Sequence, residues 1–357
     1  MTASTLTADN GASSGTSGIK YNGGTDGTLQ IQTTTSGGTA TTAVTIDNSQ
    51  NTTLAGYLNA PNTFGFKNRI INGAMGIWQR GTSFSAPGGY TADRWGVYST
   101  GTGPNVAQVS GPSGYKYALQ VTGVGGNTLT SIQQRIESVN CTDLVGNTVT
   151  IQAFLSASTT NSFTWILAYA TATDNFASTT NIATGTWNVT TSTQVFTATI
   201  AGLPSGAANG LVVNLLPNNG GSFTSGTISI TGVQLEKGST ATSFDYRPYG
   251  TELMLCQRYY QNIKPGNGAV LNFASLYSST HCESLFSFPV QMRTQPSLVA
   301  TASDWQIGGS TASVIGINNG SVYVTDVDFT ASGFTAGQIG VVKATSANSV
   351  IGFNSEL

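Results

Sequence analysis

Apolar residues alternate with polar ones along most of this chain. Val149, Ile151, Ala153 and Leu155 alternate with Thr148, Thr150 and Gln152, and Phe163, Trp165, Leu167 and Tyr169 share one face of the next run. Leu211-Val212-Val213 with Leu215-Leu216 is a nearly continuous apolar run, as in a central strand. Successive side chains of a strand point to opposite faces, so a period of two predicts half-buried strands. Between Thr227 and Glu236 the phase changes: Ile228 and Ile230 share one parity, Val233 and Leu235 the other. The change falls at Gly232 and predicts a β-bulge there. Between Tyr90 and Phe244, some eight strands at roughly 10–15-residue spacing, with no helical period, predict a β-sandwich.

The two ends of the chain differ from this middle. Up to about residue 60, apolar residues come in pairs: Leu29 and Ile31, Val44 and Ile46, Leu54 and Leu58. Such pairs are too few to offset roughly 1–2 kcal/mol of backbone entropy per residue. The segment is therefore a disordered leader, or a thin β-stalk whose core is pooled between copies of the chain. Thr and Val favour the strand reading. Thr251 to Gln261 predicts a helix: Thr251 can cap it, Glu252 suits its first turn, and Leu253, Cys256 and Tyr260 recur at helical spacing. Apolar residues on two sides of it (Leu253 and Cys256; Met254, Leu255 and Tyr259) predict either a neck around a shared three-fold axis or a connecting helix lying on its own chain. After it, alternation returns in Leu271, Phe273, Ser275 and Tyr277 and in Ser284, Phe286 and Phe288, with a hairpin signal at Asn318-Asn319-Gly320. The fold expected is all-β: a stalk or attachment segment over 1–61, a sandwich over 62–248, a neck helix over 249–266 and a β-sandwich tip over 267–357.

Composition narrows the function. Charged residues are 8% of 357 and the net charge is −2, against about a quarter charged in ordinary domains. Without a basic cluster, nucleic acid is not an expected partner. No run of 18 apolar residues predicts a membrane span, and the opening MTASTLTADN predicts no secretion signal. Cys141, Cys256 and Cys282 are too far apart in sequence for a disulfide framework or zinc site and are expected as reduced thiols.

Two stretches carry a family resemblance. NRIINGAMGIWQRG (68–81) followed by YTADRW (90–95), and GVQLEKGSTATSFDYRPYGTELMLCQRYYQ (232–261), resemble the tail-fibre, receptor-binding proteins of tailed bacteriophages. The VTIDNSQNTTL pattern resembles fibre stalks, and SLFSFPVQMRTQPSL resembles fibre head strands. YTADRW, SIQQRIESVN, LVGNTVTIQAFLSA and GVQLEKGSTAT together resemble a jelly-roll carbohydrate-binding module. The resemblance implies an elongated homotrimer in the virion tail, assembled in the host cytoplasm. Its first segment would attach to the baseplate or another tail protein, and the sandwich and tip would bind a host surface glycan such as lipopolysaccharide. It also implies two facing antiparallel sheets and room for a structural calcium ion; no other cofactor is expected.

Candidate chemistry is sparse. The one histidine, His281, precedes Cys282 and Glu283, but neighbours on a strand face opposite ways and cannot form a nucleophile–base relay. Asp326 and Asp328 share a strand face and are the acid pair to weigh for a polysaccharide depolymerase, the alternative to a binding protein. Otherwise no catalytic residue and no metal ligand is expected. Trp78, Trp95 and Arg94 are expected to plug the opening of the sandwich, with Arg94 paired to Asp93 or Glu236. Sugar recognition needs an aromatic ring face beside neutral hydrogen-bonding groups. The candidates are Trp305 and Tyr323 in the tip, and Trp165 and Tyr169, which are expected either to line the jelly-roll cleft or to pack in the core.

Overall fold

The structure, a computed structural model, describes residues 28–34, 40–49, 52–54 and 66–357. The chain divides into two compact units, Met1–Pro61 and Asn62–Leu357. In the first, β1 (Leu29–Thr34), β2 (Ala40–Ile46) and β3 (Thr52–Leu54) form a three-stranded antiparallel sheet in the order β1-β2-β3. Leu29 pairs with Ile46 and Ile31 with Val44. None of the side chains described in this unit is buried, and Ile31 is 52% exposed. Leu58 lies outside the described residues.

The second unit begins with a two-sheet sandwich. Its strands are β4 (Ser83–Ser85), β5 (Gly89–Tyr90), β6 (Gly96–Gly101), β7 (Asn105–Ser110), β8 (Tyr117–Thr122) and β9 (Asn127–Ile136). They continue with β10 (Val149–Ala157), β11 (Asn161–Ala172), β12 (Asn175–Val189), β13 (Gln194–Ile200), β14 (Leu211–Leu216) and β15 (Thr227–Lys237). Two six-stranded antiparallel sheets result, ordered β13-β10-β15-β8-β7-β4 and β12-β11-β14-β9-β6-β5. The expected bulge is present. Gln152 faces Gln234 and Phe154 faces Thr231, so Gly232 and Val233 together oppose Ala153. Gly232 has φ +57°, and a Cβ there would lie 2.6 Å from the Tyr115 hydroxyl. The extra residue restores phase, so Ile228, Ile230, Val233 and Leu235 all enter one core with Trp95, Leu119, Ile132, Leu167 and Val213.

The opening signature closes one end of this core. Asn68 Oδ1 accepts from the backbone N–H of Ile70 and Leu235, and its Nδ2 donates to the Val233 carbonyl. Asn72 Oδ1 accepts from the Ile77 backbone N–H, its Nδ2 donates to the Ile77 and Asp93 carbonyls, and the fully buried Trp95 donates its indole N–H to the Asn72 carbonyl. Gly73 lies so close that a Cβ would sit 2.1 Å from the Val233 carbonyl oxygen. Arg94 departs from expectation: its partner is neither Asp93 nor Glu236 but Glu356, with further contacts to the Arg135 carbonyl and the Tyr259 ring, 3.5 Å away. Glu236 instead accepts from Thr242 and Gln234.

Helix α1 spans Tyr249–Gln257, starting and ending earlier than expected; its cap position is Pro248, which places Thr251 inside the first turn. Tyr260–Ile263, expected within the neck, is strand β16 instead. Cys256 and Tyr259 are buried with Ile71 and Ile77 of the signature, and Leu253, Leu255 and Leu357 pack against them. The helix therefore lies on its own chain, while Met254 and Tyr249 stay 50% and 67% exposed.

The remaining strands are β17 (Val270–Leu276), β18 (His281–Ser287), β19 (Ser297–Ala300), β20 (Trp305–Ile307) and β21 (Ser310–Thr311). They are followed by β22 (Val314–Gly320), β23 (Val324–Thr330), β24 (Gln338–Ala344) and β25 (Ile351–Asn354). A three-stranded sheet, β16-β25-β19, packs on a seven-stranded one, β21-β20-β24-β17-β18-β23-β22, with Phe286, Trp305, Phe329 and Phe353 in the shared core. Asn318 and Asn319 lie within β22, and the reversal falls at Ser321, whose N–H donates to the Val324 carbonyl.

Candidate functional site

The face of the second sandwich sheet turned away from the core carries a polar groove. Pairing registers set its floor. Asn214 on β14 lies beside Gln133 on β9 and Ile166 on β11; one step along, Val212 lies beside Arg135 and Ala168, and Ala168 beside Asn181 on β12. These residues, with Thr179 and Phe176, line a cavity of about 210 Å³. The sheet is the reason they converge: residues level with each other on adjacent strands share a face and stand within reach of one ligand.

The groove mixes small apolar floor residues with neutral hydrogen-bonding groups. Asn214 accepts from the Ser131 hydroxyl at 2.8 Å, which fixes its amide; its Nδ2 enters no side-chain hydrogen bond among the described residues. The Gln133 and Asn181 amides enter no side-chain hydrogen bond among the described residues. Arg135 is held in place: its guanidinium lies 5.8 Å from the Tyr98 ring and 5.6 Å from the Phe176 ring, and it donates to the Leu357 carbonyl. The result is a shallow surface with amide donors and acceptors, one fixed cation and an aromatic ring at its edge.

The residues expected to bind sugar are placed elsewhere. Trp165 and Tyr169 have the opposite parity on β11 and face the core. Trp165 is 8% exposed and its ring packs at 6.0 Å on Trp187, over Gly185, where a Cβ would lie 2.7 Å from the indole. Tyr169 is half-buried against the core, with Gly206 beneath its ring. Trp305 has no exposed surface, and its indole N–H has no partner among the described residues; a ring enclosed in the tip core offers no face for stacking. Tyr323 is 61% exposed in the turn before β23. The tip tryptophan and tyrosine are not brought together, since β20 and β23 are separated by three strands. The groove residues that sequence reasoning missed had one local signal: Asn214 is the polar residue inside an otherwise apolar strand.

All three thiols are buried and unpaired by disulfides. Burial pushes Cys141 up to about 12 and Cys282 up to about 11, so neither supplies a thiolate near neutral pH. Asp326 and Asp328 share the outer face of β23 as expected, where Glu283 lies directly across from Asp328 and Tyr277 donates to it at 2.9 Å. Among the described residues no three His, Cys, Asp or Glu side chains gather to hold a metal ion. The sandwich carboxylates are engaged within the chain: Asp143 with Arg69, Glu137 with Arg258 and Asp174 with Ser138. The calcium ion that the family resemblance implies therefore has no cluster of carboxylates to hold it among the described residues. Among them, no helix is long and apolar enough to cross a membrane.

No family model and no curated protein sequence matches the chain. Solved structures do. The enzymatically active domain of Bacteriophage CBA120 tailspike protein 4 is 16% identical, with a TM-score of 0.34; the match covers 48% of this chain and 22% of the tailspike. A CBM4 structure is 21% identical over 47% of this chain and 98% of its own length, with a TM-score of 0.33. TmCBM61, solved in complex with β-1,4-galactotriose, is 9% identical over 48% and 100%, with a TM-score of 0.32. About half of this chain is thus similar to carbohydrate-binding modules and to a phage tailspike domain.

Proposed function

We propose that this chain is a structural tail-fibre protein of a tailed phage that adsorbs to a host surface glycan, binding it without cleaving it. The observation that carries the glycan reading is the groove: Gln133 and Asn181, whose amides enter no side-chain hydrogen bond among the described residues, and Asn214, fixed by Ser131, lie on one sheet face beside Phe176 and the fixed Arg135. Neutral amides over an apolar floor suit hydroxyl-rich, uncharged rings. The fibre role rests on the resemblance of the 68–95 and 232–261 segments to tail-fibre proteins. Attachment to the baseplate or another tail protein is assigned to the first unit, whose described side chains form no buried core of their own. A homotrimer is supported by the outer face of the large tip sheet, where Phe273, Leu285 and Ile339 are 65%, 58% and 77% exposed. Three weak sites per trimer, and several trimers per virion, would supply avidity.

Mass photometry of the purified chain should give three times the single-chain mass. A glycan array should show binding that Gln133→Ala and Asn214→Ala each weaken. One neutral hydrogen bond is worth about 0.5–1.5 kcal/mol, or about 2–12-fold in affinity. A monomer would remove the fibre reading, and an array without signal would remove the glycan reading. Release of shorter chains from host polysaccharide, lost in Asp326→Asn with Asp328→Asn, would replace binding alone by depolymerase activity.

A further inference from the structure

A larger cleft lies at the end of the sandwich closed by the opening signature, remote in sequence and sheet from the groove. Its cavity of about 600 Å³ is within the range of sites that take small ligands. One wall is the loop carrying Gly73, Ala74, Gly76 and Trp78; the other is the segment carrying Phe244, Asp245, Tyr246 and Arg247. Gln108 and Tyr117 reach it from β7 and β8, on the same face as Val106 and Leu119 but beyond the packed core. Tyr246 is 56% exposed, and its hydroxyl donates to the Gly114 carbonyl, which holds its ring in place.

Two features point to a ligand. Arg247 is nearly enclosed, at 5% side-chain exposure, and its terminal nitrogens bind Glu252 and the Ile70 and Asn68 carbonyls, so its guanidinium is fixed as part of the wall. The Gln108 amide and the Tyr117 hydroxyl enter no side-chain hydrogen bond among the described residues. The charges lining the cleft cancel: Lys116 and Arg247 against Asp245 and Glu252. Such a lining exerts no net pull on an ion, while Trp78 and Tyr246 supply aromatic rings for an apolar ring surface.

We propose that this cleft is a second binding site, taking a neutral saccharide whose ring lies against an aromatic face and whose oxygens meet the Gln108 amide and the Tyr117 hydroxyl. The saccharide class follows the glycan reading above, but the two sites share no residue and each can fail alone.

The test uses the full chain, an array of neutral and acidic pyranose oligosaccharides, and titration calorimetry with the best neutral one. Gly76→Phe fills the cleft from its wall, where a Cβ would meet only Asn72 Oδ1 at 4.0 Å. Gln108→Ala removes a ligand contact without adding bulk. Both variants should melt with the parent. The expected result is two sites per chain, of which Gly76→Phe abolishes one, Gln108→Ala weakens the same one about tenfold or less, and Asn214→Ala affects only the other. Loss of the groove site alone in Asn214→Ala, with Gly76→Phe and Gln108→Ala binding like the parent, would overturn this proposal and leave the groove standing. Tighter binding of acidic than neutral sugars at the cleft would overturn the ligand class. A cleft signal that persists when Asn214→Ala has no effect would instead remove the groove reading.

Discussion

Glu356 should be among the most sensitive positions in the chain. Its carboxylate binds Arg94 on one oxygen and Arg80, at 3.2 Å, on the other. The Arg94 and Glu356 side chains are 1% and 4% exposed, so water cannot replace a lost partner. Glu356→Gln keeps the shape and removes the charge. Arg94 would then sit buried with only the Arg135 carbonyl and the Tyr259 ring to answer it. Breaking one half of a buried ion pair costs about 3–5 kcal/mol. Arg80, with 13% of its side chain exposed, still has Asp93 at 3.9 Å and should add little to that. At about 2 °C per kcal/mol for a unit of this size, the melting temperature should fall by about 6–10 °C. Urea denaturation followed by tryptophan fluorescence would give the same loss as a shifted midpoint. The double variant Arg94→Met with Glu356→Leu should recover more than half of it, since neither charge is then stranded. A single-variant loss below about 1 kcal/mol, or a double variant as damaged as the sum of its singles, would refute the idea that this pair fastens the chain's last residues to the opening signature.

Burial pushes the Asp93 carboxyl up to about 6 against the pull of Arg80 and Gln79, so the folded protein keeps a proton that the unfolded chain releases near pH 4. Stability should therefore fall as pH rises between about 4 and 6, by up to about 3 kcal/mol, and then level off; Asp93→Asn should flatten that window in a melting-temperature series. Gly73→Ala forces a methyl to 2.1 Å from the Val233 carbonyl oxygen, a backbone atom that cannot yield, and should cost about 3 kcal/mol or more in denaturant unfolding. Trp305→Ala should cost about 3–5 kcal/mol, because the ring is fully buried, and leave glycan binding per folded molecule unchanged. Tyr323→Ala, on an exposed turn, should shift stability by no more than about 0.5 kcal/mol.

Alternation with a period of two, broken once at Gly232, was enough to read an all-β chain with a sandwich and a bulge, because strand geometry and glycine's tolerance of positive φ are local properties. That none of the described side chains of the first unit is buried agrees with its shortage of apolar residues. The face that would bind was not legible. On β11 both parities are apolar, Trp165 and Leu167 on one side and Ile166 and Ala168 on the other, and only the second sheet decides which is covered. Trp305 looked like a surface ring among polar neighbours until β24 and the small sheet enclosed it. Arg94 and Glu356 are 262 residues apart, and the helix was placed by Ile71 and Ile77 rather than by its own pattern. Pairings at that separation depend on how sheets and segments pack in three dimensions, and no local period encodes them.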